Sequence, residues 1–184
     1  AGGPRDLNVV FLHGARFSAE DWISVGSLKL VADWGYGAFA LDLPGYGKSD
    51  RNSLKPHAFL EEFVKVTGLA RFILVGPSMG GQVALQCALK GLKGIVALVL
   101  FAPAGLPSLK DQLGRIEQPI LMMWGDGDRV ISPSHAGILL KETKRTHFVA
   151  FPGEGHTGYF NCSGQFNRSL REFLADIGEG RIAL

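Results

Sequence analysis

Six strand-length apolar runs, each followed by a segment with helical spacing or a sharp turn, leave this chain very few architectures. The runs are 7–13, 37–43, 71–75, 95–101, 120–124 and 147–151. Stretches such as FILV and IVALVLF are apolar at consecutive positions, the mark of strands buried on both faces. Strands of that kind alternating with helices predict a mostly parallel sheet with helices packed on both faces.

The intervening segments carry helix signals. Ser18-Ala19-Glu20-Asp21 resembles a capping box ahead of Leu28, Val31 and Ala32. Residues 58–67 place Phe59, Leu60, Phe63 and Val64 on one face, with Gly68 as a stop. Val83, Ala84, Leu85, Cys87, Ala88 and Leu89 leave little polar face, which predicts a buried helix. Ser132-Pro133 is an N-cap followed by proline, opening a helix through Leu140. Phe166, Leu170, Phe173, Leu174 and Ile177 form the stripe of a closing amphipathic helix that ends at Gly178. Residues 102–118 show no clear pattern and are too few for a domain, so residues 1–184 are expected to form one compact α/β unit.

Composition removes several function classes. A net charge of +2, with no Lys/Arg cluster interleaved with aromatics, argues against nucleic acid as a partner. No run approaches the roughly 18 apolar residues of a membrane span. Cys87 and Cys162 make neither a metal spacing nor a disulfide framework, so two reduced thiols, no metal and a cytoplasmic location are expected. Asn161-Cys162-Ser163 and Asn167-Arg168-Ser169 match a glycosylation pattern too short to be specific, and both are read as surface polar residues. The chain opens on Ala1 rather than Met, so a trimmed N-terminus is expected and a leader is not judged from it.

One turn carries the chemistry. In FILVGPSMGGQVALQCALK, Gly76-Pro77-Ser78-Met79-Gly80 fits G-x-S-x-G between a buried strand and a buried helix. Ser78 must adopt a strained backbone, at a cost of about 1–3 kcal/mol, while Gly76 and Gly80 leave room for strand and helix to approach. The Met79 N–H then lies at a helix N-terminus, where an anion is favoured. The segment lacks the Lys-[ST] of a phosphate-binding P-loop.

A serine hydroxyl needs a base, and the base needs a group that fixes its tautomer. This elbow occurs with the chain order serine, acid, histidine. His13 and His57 precede the serine, His135 falls in a helical pattern, and His147 opens a strand. His156, in Gly153-Glu154-Gly155-His156 after the last strand, is the candidate base. Gly125-Asp126-Gly127-Asp128 supplies two candidate acids. Asp128 is favoured and Asp126 is read as a turn former or cap, while Asp42 is expected to be structural. The second oxyanion donor is expected from the loop after the first strand, at the Ala15 N–H beside that of Met79, each donor contributing about 2.7–4 kcal/mol. His13 is expected to hold that loop. Phe17, Met79, Leu106 and Tyr159 are candidates for the pocket mouth.

FLHG at 11–14, DLPGYGKS at 42–49, GPSMGG at 76–81, GDGD at 125–128 and GEGH at 153–156 together resemble the α/β-hydrolase superfamily across essentially the whole chain. HGARFSAEDW, the stretch VGSLKLVADWGYGAFALDLPGYGKSD and the proline before the serine look like the α/β-hydrolase domain-containing protein 14 group, which includes interacting factor B. The resemblance implies about six strands, the usual preceding hairpin being missing or trimmed, and no cap insertion in 102–118. It also implies a serine hydrolase acting on small acyl esters through Ser78, Asp128 and His156, with no cofactor. Acyl transfer from lysine side chains to coenzyme A is a second activity the likeness implies. A non-catalytic or transcription-associated partner protein that keeps the triad is a third reading.

Overall fold

The computed structural model describes residues 6–51 and 54–183, so Ala1 lies outside the described residues. Strands β1 (Asn8–Leu12), β2 (Gly37–Leu41), β3 (Phe72–Pro77), β4 (Ile95–Phe101), β5 (Ile120–Gly125) and β6 (Thr146–Phe151) form one sheet. Their spatial order is β2-β1-β3-β4-β5-β6, and every pairing is parallel. The central strands β3 and β5 are buried at every position, as their unbroken apolar runs require. β3 runs on to Pro77 because Gly76 and Pro77 stay in register with Leu100 and Phe101.

The strand order reverses once. The chain passes from β1 outward to β2, then crosses back over β1 to β3 and proceeds in one direction to β6. Right-handed crossovers therefore put α1 (Ala19–Ser24) and α2 (Ser27–Asp33) on one face. The other face takes α3 (Pro56–Thr67), α4 (Ser78–Leu89), α5 (Leu106–Leu113) and α6 (Ala136–Glu142). After the short helix α7 (Gly158–Asn161), α8 (Ser163–Gly178) returns to pack on α2. The crevice at the reversal, outside the carboxyl ends of β1 and β3, is where such sheets place ligands.

Four local expectations change. The first helical segment is two helices, because Gly26 takes a left-handed φ of 76° and breaks the run. The break frees the Val25 carbonyl, which accepts Asn167 Nδ2–H at 3.0 Å, while the Ser27 hydroxyl donates to Asn167 Oδ1 at 2.6 Å. Asn167 is therefore a buried clamp between α8 and the α1–α2 junction, not a surface residue. Residues 102–118 contain α5, whose Leu106, Leu109 and Leu113 face inward behind Pro103, Gly105 and Pro107. That short stripe is masked in sequence by the breakers around it. The helix expected from Ser132 begins instead as a single 3₁₀ turn, Pro133–His135, before α6.

No helix among the described residues is long and apolar enough to cross a membrane. Both thiols are free. Burial pushes Cys87 up to about 12, which leaves it protonated and inert at neutral pH. Cys162 donates to Glu154 Oε1 at 2.9 Å, and that carboxylate raises it.

Replacing Asn167 by Ala strands the buried Ser27 hydroxyl and Val25 carbonyl. We expect Asn167→Ala to lower unfolding free energy by about 1–3 kcal/mol, read as a lower urea midpoint with an unchanged slope.

Candidate active site

Ser78 is the first residue of α4 and has a φ of 47°, one of two non-glycine residues among those described with positive φ. Close packing enforces the strain. A Cβ at Gly76 would sit 2.4 Å from the Gly80 carbonyl carbon, and one at Gly80 would sit 2.9 Å from the carbonyl oxygens of Leu12 and His13. Only glycine at both positions lets α4 lie this close to β3 and β1. The other strained residue is Ala102, φ 43°, at the end of β4. It turns the chain so that the Ala104 N–H donates to the Ser78 carbonyl at 3.0 Å. This brace was not legible in sequence, since nothing in Ala102-Pro103 signals a left-handed residue.

His156 and Asp128 meet. His156 Nδ1 lies 2.7 Å from Asp128 Oδ2, with the Asp128 side chain fully buried and that of His156 15% exposed. The carboxylate receives three more hydrogen bonds: Trp124 Nε1–H to Oδ2 at 3.1 Å, and the N–H groups of Val130 and Ile131 to Oδ1 at 2.8 and 3.0 Å. A buried charge is tolerable only when its lone pairs are occupied in this way. With Nδ1–H donating to the carboxylate, the imidazole keeps its lone pair on Nε2, the tautomer a general base requires. The tryptophan contact was missed in sequence, where Trp124 reads as the apolar end of a strand.

Asp126 does other work. Its Oδ1 accepts the Gly153 N–H at 2.7 Å, and the Gly127 N–H donates to the Glu154 carbonyl at 2.9 Å. A Cβ at Gly125 would fall 2.2 Å from that same carbonyl oxygen. The loop carrying the acid is thus zipped against the loop carrying the histidine. Asp42 accepts the N–H groups of Ala19 at 2.7 Å and Lys48 at 2.9 Å, a turn-holding role. His13, fully buried, contacts the Gly14 carbonyl through Nδ1 at 2.8 Å and accepts the Leu43 N–H at Nε2 at 3.0 Å, tying the β1 loop to the β2 loop.

Ser78 and His156 line one cavity of about 510 Å³, together with Gly14, Ala15, Phe17 and Tyr159. No hydrogen bond joins Ser78 to His156 among the described residues. Such contacts commonly tighten only when substrate is bound. The Met79 N–H, at the second position of α4, has no intrahelical acceptor. The Ala15 N–H donates to no backbone acceptor among the described residues. Phe17 and Tyr159 form the apolar wall, with ring centroids 5.8 Å apart. Burial raises the Tyr159 phenol far above its ordinary range, so it stays neutral. Leu106 and Met79 depart from expectation. Leu106 is fully buried at the start of α5 and belongs to the core, and the Met79 side chain packs against the core rather than lining the cavity. No cluster of three or more metal-ligating side chains occurs among the described residues.

With this geometry in place, the comparisons converge. The model of the alpha/beta hydrolase family matches residues 9–115. ABHD14A of Danio rerio is 32% identical over 177 residues, spanning 93% of this chain and 65% of that protein's length. ABHD14B of Rattus norvegicus, whose name proposes a protein-lysine deacylase, is 30% identical over 179 residues, spanning 93% of this chain and 84% of its own. A solved structure described as a predicted CIB-like hydrolase from Thermoplasma acidophilum superposes with a TM-score of 0.87 at 26% identity, covering 92% of this chain and 87% of that one. The esterase EaEST of Exiguobacterium antarcticum, TM-score 0.80 at 18% identity over 95% of this chain and 93% of its own, shares the fold.

Trp124→Phe keeps the ring packing and removes one of four donors to a buried carboxylate. We expect a loss of about 1–3 kcal/mol of stability, seen in urea titration.

Proposed function

This chain belongs to the alpha/beta hydrolase family, and from that premise we propose that it is a serine hydrolase cleaving small acyl esters through an acyl-enzyme. One observation carries the reading: a strained Ser78 opens on the same cavity as a histidine whose Nδ1 is held by a buried, fully hydrogen-bonded Asp128.

In this mechanism Ser78 Oγ attacks the acyl carbonyl as His156 Nε2 takes its proton. The imidazolium that forms is stabilised by Asp128, which stays ionised. The N–H groups of Ala15 and Met79 receive the oxyanion, aided by the positive end of α4. His156 then gives the proton to the leaving group, and the C–O bond to it breaks. A water molecule, deprotonated by the same imidazole, releases the acid and restores Ser78. Phe17 and Tyr159 would pack against the acyl group. The cavity volume and the short segment between β4 and β5 favour a small acyl chain.

The name of the Rattus norvegicus relative favours a second substrate, an acyl-lysine amide; the acyl-enzyme would then pass its acyl group to water or to a thiol acceptor such as coenzyme A. The same acyl-enzyme serves both readings. Product analysis with and without coenzyme A separates them. A binding or transcription-associated role without catalysis predicts a Ser78 that no active-site probe labels.

The deciding experiment is an acyl-ester panel with a fluorophosphonate probe on wild type and Ser78→Ala. We expect turnover and labelling in wild type and a fall in kcat of about 10⁴-fold or more in the variant. Retained turnover in Ser78→Ala removes Ser78 from the mechanism. Asp128→Asn should lower kcat by about 10⁴-fold through the wrong imidazole tautomer, while Asp126→Asn should stay within about 10-fold of wild type. The reverse ranking would reassign the acid.

A further inference from the structure

Resting on the serine-hydrolase reading, we propose that the cavity selects acyl substrates bearing a negative charge, a carboxylate or a phosphate, recognised by Arg16 and Arg129. Both arginines line the cavity that holds Ser78 and His156, and both are solvent-exposed, which places them at its mouth. They arrive from different directions. Arg16 lies in the loop after β1 and Arg129 in the loop after β5, on opposite flanks of the β3–β4 pair that carries the elbow.

Neither guanidinium has an ion-pair or hydrogen-bond partner among the described residues. Four arginines elsewhere are occupied, Arg71 by Asp6, Arg181 by Asp176, Arg115 by the Leu89 carbonyl and Arg145 by the Glu117 carbonyl, and of the unpaired ones Arg16 and Arg129 are those that line this cavity. The cavity lining contains no aspartate or glutamate. The acids nearby in sequence are already committed. Asp128 accepts four hydrogen bonds, Asp126 binds the Gly153 N–H, and Glu154 accepts the Cys162 thiol. Two guanidinium groups without an ion-pair partner thus flank the nucleophile.

A guanidinium presents a planar fork of N–H donors that matches the paired oxygens of carboxylate or phosphate. Two such forks across one opening attract an anion and hold it away from the apolar wall of Phe17 and Tyr159, where the uncharged part of the acyl group would lie. Exposed contacts of this type are modest and screened by salt. The expected signature is therefore a salt-sensitive change in KM.

The test uses three esters with one leaving group and matched chain length: one neutral, one ending in a carboxylate, one in a phosphate. On wild type, at least one anionic ester should exceed the neutral one in kcat/KM by about 10-fold at low salt, and the advantage should shrink at high salt. Arg16→Gln and Arg129→Gln should each cut the anionic-over-neutral ratio by about 3- to 10-fold, mainly through KM. A carboxylate preference or a phosphate preference identifies which anion the forks accept. Wild-type preference for the neutral ester, or equal losses on neutral and anionic esters in both variants, overturns the proposal. Ser78-dependent turnover of the neutral ester in that case leaves the serine-hydrolase reading intact. No turnover of any ester together with no fluorophosphonate labelling overturns both.

Discussion

The structure turns on one steric fact, the left-handed backbone of Ser78. Such a conformation costs about 1–3 kcal/mol and persists only when its surroundings over-determine it. Here they do so from three sides. Strand β3 enters through Gly76, helix α4 leaves with Gly80 pressed on the carbonyls ending β1, and the Ala104 N–H fastens the Ser78 carbonyl from the β4 side. Three adjacent strands therefore hold one residue. The reversal of strand order, and so the crevice, falls between β1 and β3, where this residue sits.

A second cluster solves a different problem, keeping a charged carboxylate out of water without losing it as an anion. Asp128 does so with an indole N–H, two backbone N–H groups and the imidazole. The zipper between the acid loop and the histidine loop, through Asp126, Gly127 and Glu154, fixes the distance between them without using either catalytic candidate. The two clusters are built from separate parts of the sheet and meet only at the cavity.

Much of this was legible in the sequence because it rests on signals local to a few residues. Continuous apolar runs gave away the strands, and Gly-Pro-Ser-Met-Gly between a strand and a helix gave away the turn. The separation of Asp128 from Asp126 was readable as turn chemistry. What escaped is long-range. Asn167 looks like any polar residue on a helix until Ser27 and the Val25 carbonyl, well over a hundred residues earlier in the chain, are brought to it. Leu106 lies within a segment whose breakers hide a two-turn helix, so its burial is visible only once α5 is in place. Trp124 shows one property in sequence, its apolar bulk, and another in the fold, its single N–H. The mouth arginines are ordinary in sequence because what matters about them, two unpaired guanidinium groups brought to one opening from separate loops, exists only in the fold.

Helix α8 closing back onto the α1–α2 junction carries a consequence for biogenesis. The nucleophile, Ser78, is made well before the imidazole of His156 and the buried Asn167 clamp. A nascent polypeptide still missing its last segment would display the serine turn without a base and an N-terminal layer without its seal. Vectorial synthesis thus keeps the hydroxyl unarmed until the histidine loop and α8 have been made, and long-separated contacts of this kind also slow folding.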